Sequence, residues 1–201
     1  MNRPSHPSRP LPFLARLATA GLLAITTSAS AGVITFDGLT GETADPFTTH
    51  TEGGYIVTAT LGEWKKGLIF GDPLPSIYVS ELGPDTPFGS LSVTAQDGSA
   101  FYFRSLDLQA FNTAVGFEIR GTLDGAQIFS LPGSQLASPE FQTLPGAGGL
   151  LVIDTLTFDI SGGVGSFSVD NIDVTAVPEP ATHILALASL GLCGLMLRRR
   201  R

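Results

Sequence analysis

From Gly32 to Ala176 no segment sustains a helical period, and short apolar or alternating runs recur instead, each closed by Gly, Pro or Asp. The runs cover 33–36, 55–61, 67–70, 76–80, 90–95, 100–103, 106–111, 114–123, 127–131, 150–160 and 165–176. A chain punctuated this often cannot build long helices. It predicts an all-β domain, two antiparallel sheets packed as a sandwich.

Val115, Phe117 and Ile119 alternate with Glu118 and Arg120, so one face of that strand enters a core and the other meets water. Phe167, Val169, Ile172 and Val174 step by two, then three, then two. The extra residue predicts a β-bulge at Asp170–Asn171. The 24 glycines and 14 prolines suit such a turn-rich fold, and 43% hydrophobic residues suffice for a core.

Charge is distributed unevenly. Between Gly32 and Val177 stand four cations, Lys65, Lys66, Arg104 and Arg120, against seventeen acids, a balance of -13. Such a domain repels phosphate backbones, so nucleic acid is excluded as a partner. Cys193, the only cysteine, falls outside this stretch, which therefore has no disulfide framework and no thiolate metal site.

The two ends are of another kind. Residues 1–31 combine scattered arginines, an apolar core from Leu17 to Ile25 and the small-residue pattern Ala29-Ser30-Ala31. This is the layout of a secretory signal peptide, with Ala29 and Ala31 flanking the cleavage position and the secretion translocon and signal peptidase as expected partners. At the other end, residues 181–197 suffice for one transmembrane helix, and Arg198, Arg199, Arg200 and Arg201 would hold its end on the cytoplasmic side. The preceding domain is then outside the cytoplasm.

Val177-Pro178-Glu179-Pro180, the single apolar helix and the terminal arginines together resemble the PEP-CTERM protein-sorting signal of exported Gram-negative proteins. The resemblance implies that Pro178, Glu179 and Pro180 are recognised by an exosortase, and that the carrier is associated with exopolysaccharide and the cell surface. It spans 177–201 and leaves the activity of the 32–176 domain open.

That domain in turn resembles jelly-roll, carbohydrate-binding-like sandwiches through Ile34-Thr35-Phe36-Asp37, Ser105-Leu106-Asp107-Leu108, the hairpin Gly121-Thr122-Leu123-Asp124-Gly125 and Val169-Asp170-Asn171-Ile172. The resemblance implies that the first and last strands lie side by side and that Asp37 and Asp170 are a candidate pair for a structural calcium ion. The competing reading has Asp37 starting a turn and Asp170 with Asn171 satisfying the bulged backbone. No run of EF-hand type ligands favours the ion.

Residues for chemistry are sparse. His50 is the only histidine between the two end segments, which rules out a multi-histidine zinc site, and no nucleophile elbow, phosphate loop or dinucleotide fingerprint occurs. Trp64, beside Lys65 and Lys66, is the candidate ligand contact, either as a sugar-stacking platform or as a core aromatic, and Tyr55, Tyr78 and Tyr102 carry the same ambiguity. The expectation is a non-catalytic exported protein that binds polysaccharide and needs no cofactor beyond that calcium ion. Its alternatives are a glycoside hydrolase using paired carboxylates and a purely structural or adhesive coat protein.

Overall fold

The computed structural model describes residues 31–69, 74–82, 87–148, 150–162 and 164–178. They belong to a unit spanning Thr27–Ala181; the second unit, 1–26 and 182–201, lies outside the described residues. The signal peptide, its Ala29, the apolar helix, Glu179, Pro180 and the four arginines therefore fall outside the description. Among the described residues no helix is long and apolar enough to cross a membrane.

Thirteen strands follow in chain order: β1 Ala31–Ile34, β2 Thr49–Glu52, β3 Tyr55–Leu61, β4 Trp64–Gly67, β5 Ser76–Leu82, β6 Pro87–Ala95 and β7 Phe101–Ala110. Then come β8 Val115–Leu123, β9 Ala126–Gln135, β10 Gln142–Pro145, β11 Val152–Ile153, β12 Thr155–Ser161 and β13 Val164–Ala176. One sheet runs β10-β7-β13-β5-β4, with β1 also on β13 and β11 on β7; the other runs β2-β3-β6-β12-β8-β9. Every ladder in both sheets is antiparallel. The all-β two-sheet sandwich expected from the run spacing is the fold.

The core is the set of inward positions of both sheets. Val57, Ile77, Val79, Phe101, Leu106, Leu108, Ile160, Phe167, Val169 and Val174 are fully buried. Burying side chains of this size stabilises by roughly 1.5–3 kcal/mol each, and here that burial has no disulfide to assist it. β13 organises its sheet, because it pairs with β5 and β7 and carries β1 at its far end, where Ala31 lies opposite Thr175. First and last strands are neighbours, as expected.

Three local features explain the register. The β13–β7 ladder shifts between Asp170 and Asp173, and Asn171 takes φ 45°, so the bulge sits where the stepping of apolar residues put it. Asp124 and Gly125, at φ 51° and 76°, make the two-residue turn between β8 and β9, a conformation Asp and Gly tolerate. Asp154 divides the run 150–160: β11 before it joins β7 in one sheet, and β12 after it joins β6 and β8 in the other. Its backbone N–H reaches Thr122 O at 2.8 Å and its carboxylate accepts Asp124 N–H at 2.6 Å, which ties the crossing to the hairpin.

Two of the run boundaries are corrected. Among the described residues of the run 67–70 only Gly67 is in a strand; that strand lies earlier, at β4, because Trp64 alternates inward there and its neighbours Lys65 and Lys66 pair with Tyr78 and Ile77. The runs 100–103 and 106–111 merge into β7, since Ser105 pairs with Asp173 and Phe103 with Val174, and Arg104 is taken up as a register shift between them.

Candidate functional site

Tyr78 on β5, Ser168 on β13 and Gln109 on β7 stand in register across three adjacent strands. Their chain neighbours Ile77, Val79, Val169 and Leu108 point into the core and have no exposure. Alternation therefore directs Tyr78, Ser168 and Gln109 to the outer face of the sheet. Together with Ser166 they line a cleft of about 440 Å³ whose walls are Ile69, Phe111 and Asn112.

Apolar rims and a hydrogen-bonding interior characterise the cleft. Ile69 and Phe111 are 68% and 58% exposed, large apolar surfaces left in water beside the opening. Gln109, by contrast, is buried, because the segment after β9 crosses over it: its Nε2 donates to Pro139 O, and Ser138 N–H donates to Ala110 O at 2.8 Å. Among the described residues none that lines the cleft is Asp, Glu, Lys, Arg or His, although the domain around them is strongly acidic. A phenol, two amides and two hydroxyls beside aromatic surface form a donor and acceptor set for a neutral polyhydroxylated ligand.

Of the four aromatics named from the sequence, Tyr78 alone reaches this cleft. Trp64 is corrected: it is 2% exposed, its ring lies between the sheets against Gly89, and its indole N–H donates to Leu61 O at 2.9 Å. A sandwich of this size places its one tryptophan in the core, where the large apolar area counts most. Tyr55 is likewise buried, edge-on to Phe101. Tyr102 lines a second, smaller cleft with Arg104, Pro145 and Leu150.

The acidic residues gather at the bulge. Asp170, 1% exposed, lies opposite Asp107, and its Oδ1 accepts the Asn171 N–H at 2.7 Å. Burial pushes the Asp170 carboxyl up to about 7; the Asn171 N–H pulls the other way, and the charges of Asp107, Asp37 and Glu52 push it further up. Glu52 behaves oppositely. Burial alone would raise it, but hydrogen bonds from Thr35 Oγ1, His50 and the Thr35 and Phe36 backbone N–H groups hold it below the ordinary carboxylate range.

The oxygens of this cluster already hold hydrogen bonds within the chain. Both Asp107 oxygens are engaged, by Thr143 Oγ1 at 2.6 Å and Asn171 Nδ2 at 2.9 Å, and both Glu52 oxygens are engaged as above. Asp37 is exposed, at the corner of a turn closed by Leu39 N–H to Phe36 O. Among the described residues no three His, Cys, Asp or Glu side chains converge to hold a metal ion. Asp170 Oδ1 accepts the Asn171 N–H at the bulge, and a calcium ion shared by Asp37 and Asp170 stays an expectation for the thermal test described in the Discussion.

The same burial bears on hydrolysis. Asp170 and Asp107 are a cross-strand carboxylate pair outside the two clefts described, and Asp170 is 1% exposed. His50 is committed to Glu52 at 3.1 Å, with its ring against Phe36.

At the other end of β13, Val177 N–H still bonds Ala100 O at 3.2 Å, and Pro178 is exposed. The chain leaves the sheet there, and residues 176–201 match the PEP-CTERM protein-sorting motif. No curated protein matches the chain in sequence. Solved structures similar to it are carbohydrate-binding modules. The family 32 module of C. perfringens NanJ, in complex with galactose, has 16% identity, a TM-score of 0.45, and coverage of 64% of this chain and 97% of that one. The module CBM29_1 of Piromyces equi has 14% identity and a TM-score of 0.44, covering 78% and 98%. The C-terminal family 22 module of Clostridium thermocellum Xyn10B has 13% identity and a TM-score of 0.45, covering 74% and 94%.

Proposed function

We propose that this is an exported, non-catalytic protein whose β-sandwich binds a neutral polysaccharide in the cleft floored by Tyr78, Ser168 and Gln109. One observation carries the reading: a strongly acidic domain keeps an uncharged cleft, built from a phenol, amides and hydroxyls on adjacent strands and rimmed by exposed Ile69 and Phe111. Hydroxyl-rich ligands satisfy such groups, and the aromatic surface accepts their apolar faces. Polyanionic chains are disfavoured by the surrounding field.

The PEP-CTERM motif supports export and processing. In this reading the precursor passes the secretion translocon, loses residues 1–31 to signal peptidase and is held in the inner membrane by helix 181–197, with the 32–176 domain facing the periplasm. An exosortase then acts at Pro178-Glu179-Pro180, and the domain reaches the cell surface or its matrix.

Binding is tested by titrating the full chain in detergent with neutral and uronic-acid polysaccharides in a calorimeter. Tyr78→Ala and Gln109→Ala should each weaken neutral-polymer binding about tenfold or more, the loss of about 1.4 kcal/mol or above. Equal binding of both polymers, or unchanged affinity in both variants, would remove the cleft from the reading.

A further inference from the structure

β7 presents side chains on the outer face of its sheet near both of its ends. Gln109 floors the first cleft. Near the start of the strand Phe101 and Phe103 are buried in the core, so Tyr102 and Arg104 point outward. They line the second cleft, of about 290 Å³, together with Pro145, Gly146 and Leu150. Tyr102 and Gln109 are seven residues apart on the strand, roughly 20 Å, so the two clefts are separate sites.

The second cleft exists because the chain leaves β7 and returns to it. β10 pairs with β7 as far as Pro145, opposite Ser105, and β11 rejoins it at Val152, opposite Tyr102. Between these ladders Gly146 N–H bonds Arg104 O at 2.6 Å, and a Cβ on Gly146 would stand 2.7 Å from Phe103 O. Glycine alone lets the chain lie this close to β7, and that contact fixes the backbone of Arg104.

The polar groups here are unlike those of the first cleft. Among the lining side chains they are the Arg104 guanidinium and the Tyr102 phenol, and no acid joins them in a domain that holds seventeen. Arg104 Nε donates to Thr175 Oγ1 at 3.2 Å, and Thr175 stands opposite Tyr102, so the guanidinium is oriented beside the phenol. Lys66 and Arg120 bridge Asp45 and Asp159, whereas among the described residues Arg104 forms no ion pair. A guanidinium tied at Nε keeps its two terminal nitrogens for a carboxylate, which it meets with two parallel hydrogen bonds. Beside it Tyr102 and Leu150, the latter 62% exposed, offer apolar surface to whatever carries that carboxylate.

We propose that this second cleft binds a single carboxylate carried on a ring, with Arg104 pairing the carboxylate and Tyr102 and Leu150 covering the ring. Repulsion by the acidic domain grows with the number of charges a ligand brings, so one carboxylate is admitted where a chain charged at every unit is not. An acidic unit of an otherwise neutral polysaccharide and a free aromatic acid share this chemistry. The site stands independently of neutral-polymer binding at Tyr78 and Gln109.

The test titrates the full chain in detergent with glucuronate, benzoate and glucose in a calorimeter at low salt. At least one of the two carboxylates should bind, and molar salt should weaken that binding several-fold. Arg104→Gln should weaken it at least tenfold with circular dichroism unchanged, Arg104→Lys should restore only part of it, and Tyr78→Ala should leave it as it is. Glucose should show no loss in Arg104→Gln. Tighter glucuronate identifies an acidic sugar unit as the ligand, tighter benzoate a free aromatic acid. Neutral-polymer binding should persist in Arg104→Gln, which separates the fate of this cleft from that of the first. Failure of both carboxylates to bind, unchanged affinity in Arg104→Gln, or an equal loss in Tyr78→Ala would overturn the proposal.

Discussion

Asp170 lies directly across the β13–β7 ladder from Asp107, and Asn171 serves both: its backbone N–H bonds the first at 2.7 Å and its side-chain amide the second at 2.9 Å. Two carboxylates are thus held face to face by one residue in a left-handed conformation, with Asp170 cut off from water.

That arrangement sets a pH dependence. The folded-state value of Asp170, about 7, lies above its ordinary value of 3.8, so between these pH values the folded chain binds more protons than the unfolded one. The stabilisation is fully present below pH 4 and is lost as pH rises through 7, a change on the order of 4 kcal/mol. Glu52 has the opposite sign, losing its contribution only as pH falls through its depressed value, outside this window. Thermal unfolding should therefore give a higher Tm at pH 5.5 than at pH 8. Asp170→Asn should raise the pH 8 value and flatten the profile.

Calcium provides a separate check on the same residues. Because the oxygens of Asp107 and Glu52 are already engaged, millimolar calcium and chelator should give the same Tm. A calcium-dependent rise that disappears in Asp170→Ala would show that the cluster rearranges around an ion.

Trp64→Ala should lower stability by roughly 3–5 kcal/mol, read from urea unfolding, as expected for deleting a large core aromatic. Affinity for polysaccharide, corrected for the folded fraction, should not change. A selective loss of binding in a fully folded variant would restore Trp64 as a ligand contact.

Gly133→Ala and Gly121→Ala place a methyl group against the rings of Phe117 and Phe129. Overpacking of this kind should destabilise by about 1–3 kcal/mol in urea titrations, and the double variants with Phe117→Leu or Phe129→Leu should recover part of it. Additive losses in those doubles would show that the ring and the glycine are not coupled.

The fate of the tail tests the sorting motif. In a producing strain, Glu179→Ala or Pro178→Ala should leave the chain at precursor size in the membrane fraction, read by immunoblot. Normal processing of both variants would place recognition elsewhere in residues 176–201.

Period and punctuation made much of the fold legible. The stepping from Phe167 to Val174 located the bulge, Asp124-Gly125 located the hairpin, and Pro178-Glu179-Pro180 with the arginines located the sorting motif. The change of sheet at Asp154 was hidden, because buried apolar residues stand on both sides of it: Ile153 and Leu156 are both buried. The cleft was hidden for another reason. Tyr78, Gln109 and Ser168 are separated widely in sequence and become neighbours only through the order β5-β13-β7, which alternation along one strand does not encode. Composition left Trp64 between a sugar platform and a core aromatic, and only its placement on β4 against Gly89 of the other sheet decides for the core.

β13 begins beside the cleft, at Ser166 and Ser168, and runs to Ala176, where the sorting motif starts. A polymer pulling on the cleft while the tail is retained would stretch the domain along this one strand. Its neighbours β5, β7 and β1 all lie alongside it, so the force acts parallel to the strand and loads many hydrogen bonds in shear together rather than unzipping them singly. The strand that lines the cleft is therefore also the one that carries the chain into the sorting motif, so any load passed between the two would fall on the ladders of β13.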